Sequence, residues 1–462
     1  MAPFKKNSAG LMTPPATDEA PQSSSSHVTA PAIRSLIRDN KDVLLYVLAL
    51  AIITGTLYFW HFHNHYFPDS PSYITPAAHL LSGHGFTDSN GYPATIPTPG
   101  YPLLILPFLW AHLNLTFLVL FQHALRVLLV LASTVFVLRF AGDTRKALLT
   151  GVLLCLDFLL LEAANAVLTE MLFTVIICAI LWLLWSESGK TSKPGLMCLA
   201  AGLLTGAAVL VRPVAILFFV PAALYLLMTR QRYRIRAATG FVLVSLCLPL
   251  LWATRNYHET GNFTLSSIAG YNALFYRGAG ALAANDPGDF RQNFPRRQQE
   301  LDVQACHDLE REYRQECSAI PFAQKAGYYS RRGREIVWHN PIGYAKACAR
   351  GALVMLLDGG PTSLAGIAGT TWPVGMRVLM VYTLPLLGLA LFGLVAFWNT
   401  SRNFFWLALL TWGYFVGISA GPEAYGRFRV PFLPLYIILA VTGLEWALKR
   451  IRGAFNVAPR LG

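Results

Sequence analysis

Long apolar stretches alternate with short basic connections through most of the chain, and two longer polar segments interrupt them. A membrane-spanning helix needs about 20 mostly apolar residues. The runs at 43–60, 115–138, 147–161, 171–185, 196–211, 214–228, 237–254, 376–398, 403–419 and 430–448 approach that length. They predict an all-α polytopic integral membrane protein with about ten transmembrane helices, or roughly eight to thirteen if marginal runs are assigned otherwise. The stretch 344–357 is shorter and carries Lys346 and Arg350, so it is read as interfacial or re-entrant. If it spans instead, the topology after it changes.

Composition supports a membrane protein, with 54% hydrophobic and only 13% charged residues, where soluble domains run near a quarter charged. The formal net charge of +13 is dispersed between apolar runs, which argues against nucleic acid as a partner and for membrane orientation. Cytoplasmic connections are enriched in Lys and Arg. With the N-terminus inside, the basic sets at Lys5, Lys6, Arg34, Arg38 and Lys41, at Arg139 to Lys146, at Lys190 and Lys193, at Arg230 to Arg236, at Arg402 and at Lys449 to Arg452 all fall on the cytoplasmic side.

Four regions follow. Residues 1–40 form a cytoplasmic tail, Ser/Pro-rich and expected to be disordered. Residues 41–255 form a membrane catalytic module with a first outer loop at 61–114, and 256–375 a large outer loop with helical and interfacial segments. Residues 376–462 complete the bundle and end in a short basic tail. The first apolar run is long enough to span and no clear small-residue cleavage site follows it, so an anchor is expected rather than a cleaved signal.

Candidate chemistry gathers on the predicted outer face. Asp69 follows the first span, where it reads either as a helix N-cap or as a reactive carboxylate. Ser70 and Pro71 already supply a cap and a first helical residue. Pro76 predicts a kink, with a second short helix starting near Thr75. Arg212, Arg255, Arg427 and Arg429 lie at outer span ends, where the orientation bias should deplete arginine. Snorkelling explains any one of them; all four together suit a phosphate, whose oxygens match the guanidinium fork. Glu170 opens a span on the same face, where a favourable helix-end interaction is the alternative, and Glu162 is a less specific acid in the same loop.

Of seven cysteines, Cys306 and Cys317 lie in the large outer loop, where a disulfide is permitted. Two free thiols, or Cys348 as a partner, are the alternatives. His61, His63 and His65 alternate as zinc ligands can, although interfacial aromatic residues are the simpler reading. Gly189-Lys190-Thr191 lacks the first glycine of a phosphate loop.

Several of these residues, in order, resemble the membrane-embedded glycosyltransferases of the GT-C type, the branch of protein O-mannosyltransferases and aminoarabinose transferases (glycosyltransferase family 39). They are Asp69 with Tyr73, the run Pro97 to Leu104, Leu168-Thr169-Glu170, Gly202 through Arg212-Pro213, Trp252 to Tyr257 with Gly261, and Arg427-Phe428-Arg429-Val430-Pro431. The resemblance covers about 44–449. It implies Asp69 as catalytic base, Glu170 as its companion, and Arg212, Arg255, Arg427 and Arg429 with Tyr73 at the phosphate of a polyprenyl-phosphate sugar donor. The acceptor would be a hydroxyl of a lipid, protein or glycan, with membrane lipids as the surroundings. The paired acidic motif of some relatives is absent after Asp69, which leaves open whether a divalent metal takes part. Short loops favour a bacterial inner membrane, with the site facing the periplasm or exterior; the endoplasmic-reticulum lumen is the alternative. The competing reading is a secondary transporter of an anionic substrate, which would bind at the midplane between internal repeats.

Overall fold

A computed structural model describes residues 33–190 and 193–457; most of the N-terminal tail lies outside them. The first helices are α1 (Ile33–Asp39), α2 (Lys41–His61), α3 (Ser70–Leu81), α4 (Gly100–Trp110), α5 (Leu115–Ala141), α6 (Thr144–Leu156), α7 (Phe158–Asn165), α8 (Glu170–Glu187), α9 (Leu196–Val211), α10 (Phe219–Thr229) and α11 (Arg234–Thr260). A compact lobe follows, built from α12 (Ile268–Tyr271), α13 (Ala279–Ala283), α14 (Phe290–Tyr313) and α15 (Phe322–His339). The chain then returns through α16 (Pro341–Leu357), α17 (Pro361–Ala368), α18 (Trp372–Thr400), α19 (Arg402–Ser419) and α20 (Leu433–Val457). Among the described residues there is no named strand, only an isolated bridge between Thr87 and Pro93.

This is an all-α membrane protein. Six helical segments are long and apolar enough to cross a bilayer, and eight if the bent pairs α6–α7 and α16–α17 each count as one. Ten runs look similar in sequence because length is the marginal quantity. At 1.5 Å per residue the 16 residues of α9 rise only about 24 Å, against about 30 Å of hydrocarbon. The run 147–161, read as one span, is broken by Asp157. Its carboxylate accepts the N–H groups of Leu159 and Leu160 at 3.0 and 3.1 Å, so it caps α7 and the chain bends by 55°. Pro76, expected to kink or divide α3, sits inside one continuous helix; the missing proline N–H removes only one bond of the ladder.

Helix boundaries follow local chemistry. The side chain of Asn114 caps α5 through the Thr116 N–H at 3.0 Å, and Gly142, at φ 61°, ends it in the left-handed conformation that glycine tolerates. Packing then depends on small residues, since lipid offers apolar helices no drive to associate with one another. A Cβ on Gly202 or Gly206 would stand 2.8 or 2.9 Å from the carbonyl oxygens of Phe241 and Ser245 on α11. Gly393 and Gly443 bring α18 and α20 closer still, against the backbone at Leu439 and Leu389.

The ends of the bundle differ. One end carries the long segments and the lobe, whose own core includes Leu274, Phe275, Leu301, Leu309, Tyr329 and Ile336. Cys306 and Cys317 are disulfide-bonded there. α17 rests on the terminus of α2: Ser363 Oγ lies 2.8 Å from the Tyr58 hydroxyl, and Gly366 abuts Phe62. The opposite end collects basic groups, with Lys146 and Lys449 on Glu445 and Arg402 over Trp398 at 3.7 Å.

Candidate functional site

Asp69 lies just before α3, and its carboxylate caps nothing. Ser70 takes over the local bonding. It is fully buried, and its hydroxyl accepts the Phe67 N–H and donates to the Val167 carbonyl, both at 2.9 Å. That anchors the turn to the chain leading into α8. The Asp69 carboxylate is left half-exposed and free to meet Arg427, whose Nη1 and Nη2 both donate to Oδ2 at 3.2 Å.

Glu170 is the first residue of α8 and only 2% exposed. Its Oε1 meets Arg212 Nη1 at 2.5 Å and Arg427 Nε at 3.1 Å. Arg212 stands at the end of α9, in an extended conformation, as expected before a proline. Its guanidinium lies 5.9 Å from the ring centres of both Phe173 and Phe428. Arg427 comes from the 3-10 segment Gly426–Phe432 and lies 5.1 Å from the centre of the Tyr425 ring. The result is a chain of alternating charges, Arg212, Glu170, Arg427 and Asp69. A buried ion pair that loses one partner leaves an uncompensated charge, which costs ~3–5 kcal/mol.

Tyr73, one turn into α3, packs edge-on against Tyr101 with ring centres 5.3 Å apart. Burial, and then the Glu170 carboxylate, push the Tyr73 hydroxyl up to about 12, so it remains a neutral donor beside the charged groups. Tyr101 is held in turn by Gln122 at 2.8 Å.

Two of the four arginines go elsewhere. Arg255 donates to the carbonyls of Phe86 at 3.0 Å and Ala94 at 3.3 Å and stacks by Trp252; it pins the 61–114 segment to α11. Arg429 is fully buried. It donates to the Leu356 carbonyl at 2.5 Å and lies within electrostatic reach of Asp157, so it braces the bundle interior. The histidines also diverge: His61 faces the Gly366 carbonyl and His65 that of Asn165. Among the described residues no three His, Cys, Asp or Glu side chains converge as metal ligands. The two site carboxylates are instead joined by Arg427, an arrangement that does not fit a resident divalent ion.

Two further acids contribute: Asp358, which escapes a reading of the sequence, and Glu162, the less specific candidate of the outer loop. Asp358 accepts the N–H of Gly360 at 2.9 Å and that of Gly426 at 2.8 Å, and so fixes the segment that presents Arg427. The string Asp358-Gly359-Gly360-Pro361 does carry a turn signal. Glu162 reaches Ser363 Oγ at 3.5 Å and lies within electrostatic reach of Asp358, Arg427 and Glu170. An apolar groove of about 430 Å³ begins at Pro213, the residue after Arg212, and runs along Leu246, Pro249, Leu250 and Phe263. No family model matches this chain, and no curated protein matches it closely enough to count as a relative.

Proposed function

We propose that the protein is an inverting glycosyltransferase of GT-C type. It moves a sugar from a polyprenyl-phosphate donor to a hydroxyl on the outer face of a bacterial inner membrane. The observation that carries this reading is the pairing of a half-exposed Asp69 with Arg427 and Arg212 on the buried Glu170, beside an apolar groove that starts at Pro213. A lipid phosphate needs such a combination: cations for the head and apolar surface for the chain.

In the reaction the acceptor O–H gives its proton to the Asp69 carboxylate, and the acceptor oxygen forms a bond to the anomeric carbon. The bond from that carbon to the phosphate oxygen breaks on the opposite side, and its electron pair leaves with the polyprenyl phosphate. Attack from the far side inverts the anomeric centre. Arg212 and Arg427 meet the growing phosphate charge with planar pairs of donors, Tyr73 adds a neutral one, and Glu170 holds both guanidinium groups in place. Donors fixed before the reaction stabilise developing charge without reorganising. The rival transporter reading calls for binding groups near mid-depth, whereas these lie at helix ends. The decisive assay reconstitutes the full chain in vesicles with a labelled polyprenyl-phosphate hexose or pentose. Release of polyprenyl phosphate with product of inverted configuration supports the reading. Uptake of label into the lumen without cleavage overturns it.

A further inference from the structure

A cleft of about 690 Å³ separates the 61–114 segment from the lobe, within the size range of small-ligand sites. One wall is the face of α3 that carries Ser72, Thr75 and Pro76. Ser72 and Pro76 lie three and seven positions after Asp69, on one stripe of the helix, so this wall leads down to the acid. Ser72 also holds the Asp69 carbonyl oxygen through its N–H at 3.1 Å and its hydroxyl at 2.6 Å. The second wall is the 88–97 loop with the exposed ring of Tyr92. Asp88 Oδ1 shapes that loop by accepting the Asn90 and Tyr92 N–H groups at 2.9 and 3.0 Å. The third wall, 318–325, follows the disulfide, and Lys325 Nζ ties it to the Cys317 carbonyl at 2.9 Å.

This lining is chemically particular. Hydroxyl, amide and carboxylate groups are interspersed with the flat rings of Tyr92 and Phe322, the combination that binds a sugar's hydroxyls and its C–H face. Peptides are held by sheet edges or apolar side-chain pockets; no β-strand is present among the described residues, and around the cleft polar side chains alternate with the apolar ones. Its carboxylate and amine side chains are Asp88, Glu259 and Lys325, one more acid than base, which disfavours a phosphorylated or carboxylated ligand.

We propose that this cleft is a binding site for a neutral saccharide, the acceptor, whose hydroxyl is led along α3 to Asp69. The delivery step rests on the glycosyl-transfer reading, whereas saccharide binding does not. The test uses the full chain in lipid nanodiscs and saturation-transfer NMR. The probes are three neutral trisaccharides (maltotriose, mannotriose and chitotriose), a trigalacturonate and a Ser/Thr-rich hexapeptide. At least one neutral trisaccharide should bind, about tenfold more weakly in Tyr92→Ala and in Gln324→Trp; the latter fills the cleft from an exposed position. Binding should persist in Asp69→Asn. The proposal is overturned if no neutral probe binds, if the acidic sugar or the peptide binds more tightly, or if both cleft variants bind like the parent. Sugar transfer that survives in Asp69→Asn, with saccharide binding intact, removes the catalytic mechanism and leaves the site standing.

Discussion

Helix α8 begins and ends with a glutamate, and its two ends differ in use. Glu170 and Glu187 are 2% and 1% exposed, and each meets an arginine and a second cation. At the far end Glu187 holds the fully buried Arg230, and Lys190 at 3.0 Å. The helix dipole opposes a carboxylate there and favours one at Glu170, so the two cations at Glu187 have a structural task to perform. At the near end the same motif is open. Arg427 reaches past Glu170 to a second acid, Asp69, which is half in solvent; Pro71 and Ser72 after it line the cleft, and Pro213 after Arg212 lines the groove. A buried acid–arginine pair is therefore no sign of chemistry by itself. What distinguishes the site is a surplus carboxylate that a ligand can reach.

That contrast is open to attack at both ends. The largest effect is expected from Asp69→Asn, which should lower turnover by ~10² to 10⁴-fold while leaving the thermal unfolding profile unchanged; labelled-donor assays and melting curves measure the two sides. Next comes Glu187→Ala. Leaving Arg230 without this carboxylate should cost ~3–5 kcal/mol of stability, read by denaturant unfolding in detergent, with transfer per folded molecule near that of the parent. If Glu187→Ala abolished transfer in folded protein, the two ends would not differ as described. Arg212→Lys keeps the charge but loses the planar fork; kcat/KM for the donor should fall about tenfold, or ~1.4 kcal/mol, with kcat lowered as well as KM raised.

The smallest effect concerns Glu423, an acid at the near end that is only loosely paired, with Arg277 at 3.9 Å. Burial raises its pKa. The folded chain thus keeps this proton to a higher pH than the unfolded chain does. The associated stability is complete below the ordinary glutamate range and is lost as pH rises through the raised value. Glu423→Gln should flatten a plot of Tm against pH between the ordinary glutamate range and the raised value.

Much of the bundle is legible in the sequence because spanning helices announce themselves by length: the runs at 43–60 and 115–138 lie within α2 and α5. Breaks are harder to see. Asp157 and Asp358 act through backbone N–H groups only two or three residues away, or far along the chain at Gly426, and neither disturbs an average taken over an apolar window. At the site, Asp69, Glu170, Arg212 and Arg427 stand out as charges at the ends of apolar runs. Arg255 and Arg429 carry the same signal and point elsewhere. Arg427 and Arg429 share the 3-10 segment Gly426–Phe432. With 3.0 residues per turn, positions two apart project about 120° from one another, a direction that residue type does not encode.

The balance of charge at the near end has an outcome for the order of events. Two guanidinium groups and two carboxylates cancel, so a lipid-borne anion drifting past feels little long-range pull from them. To gain Arg427 it must first displace Asp69 from that side chain. On the glycosyl-transfer reading, an acid released only by the arriving head group would be idle until then, and this order of events would guard the activated sugar against stray water.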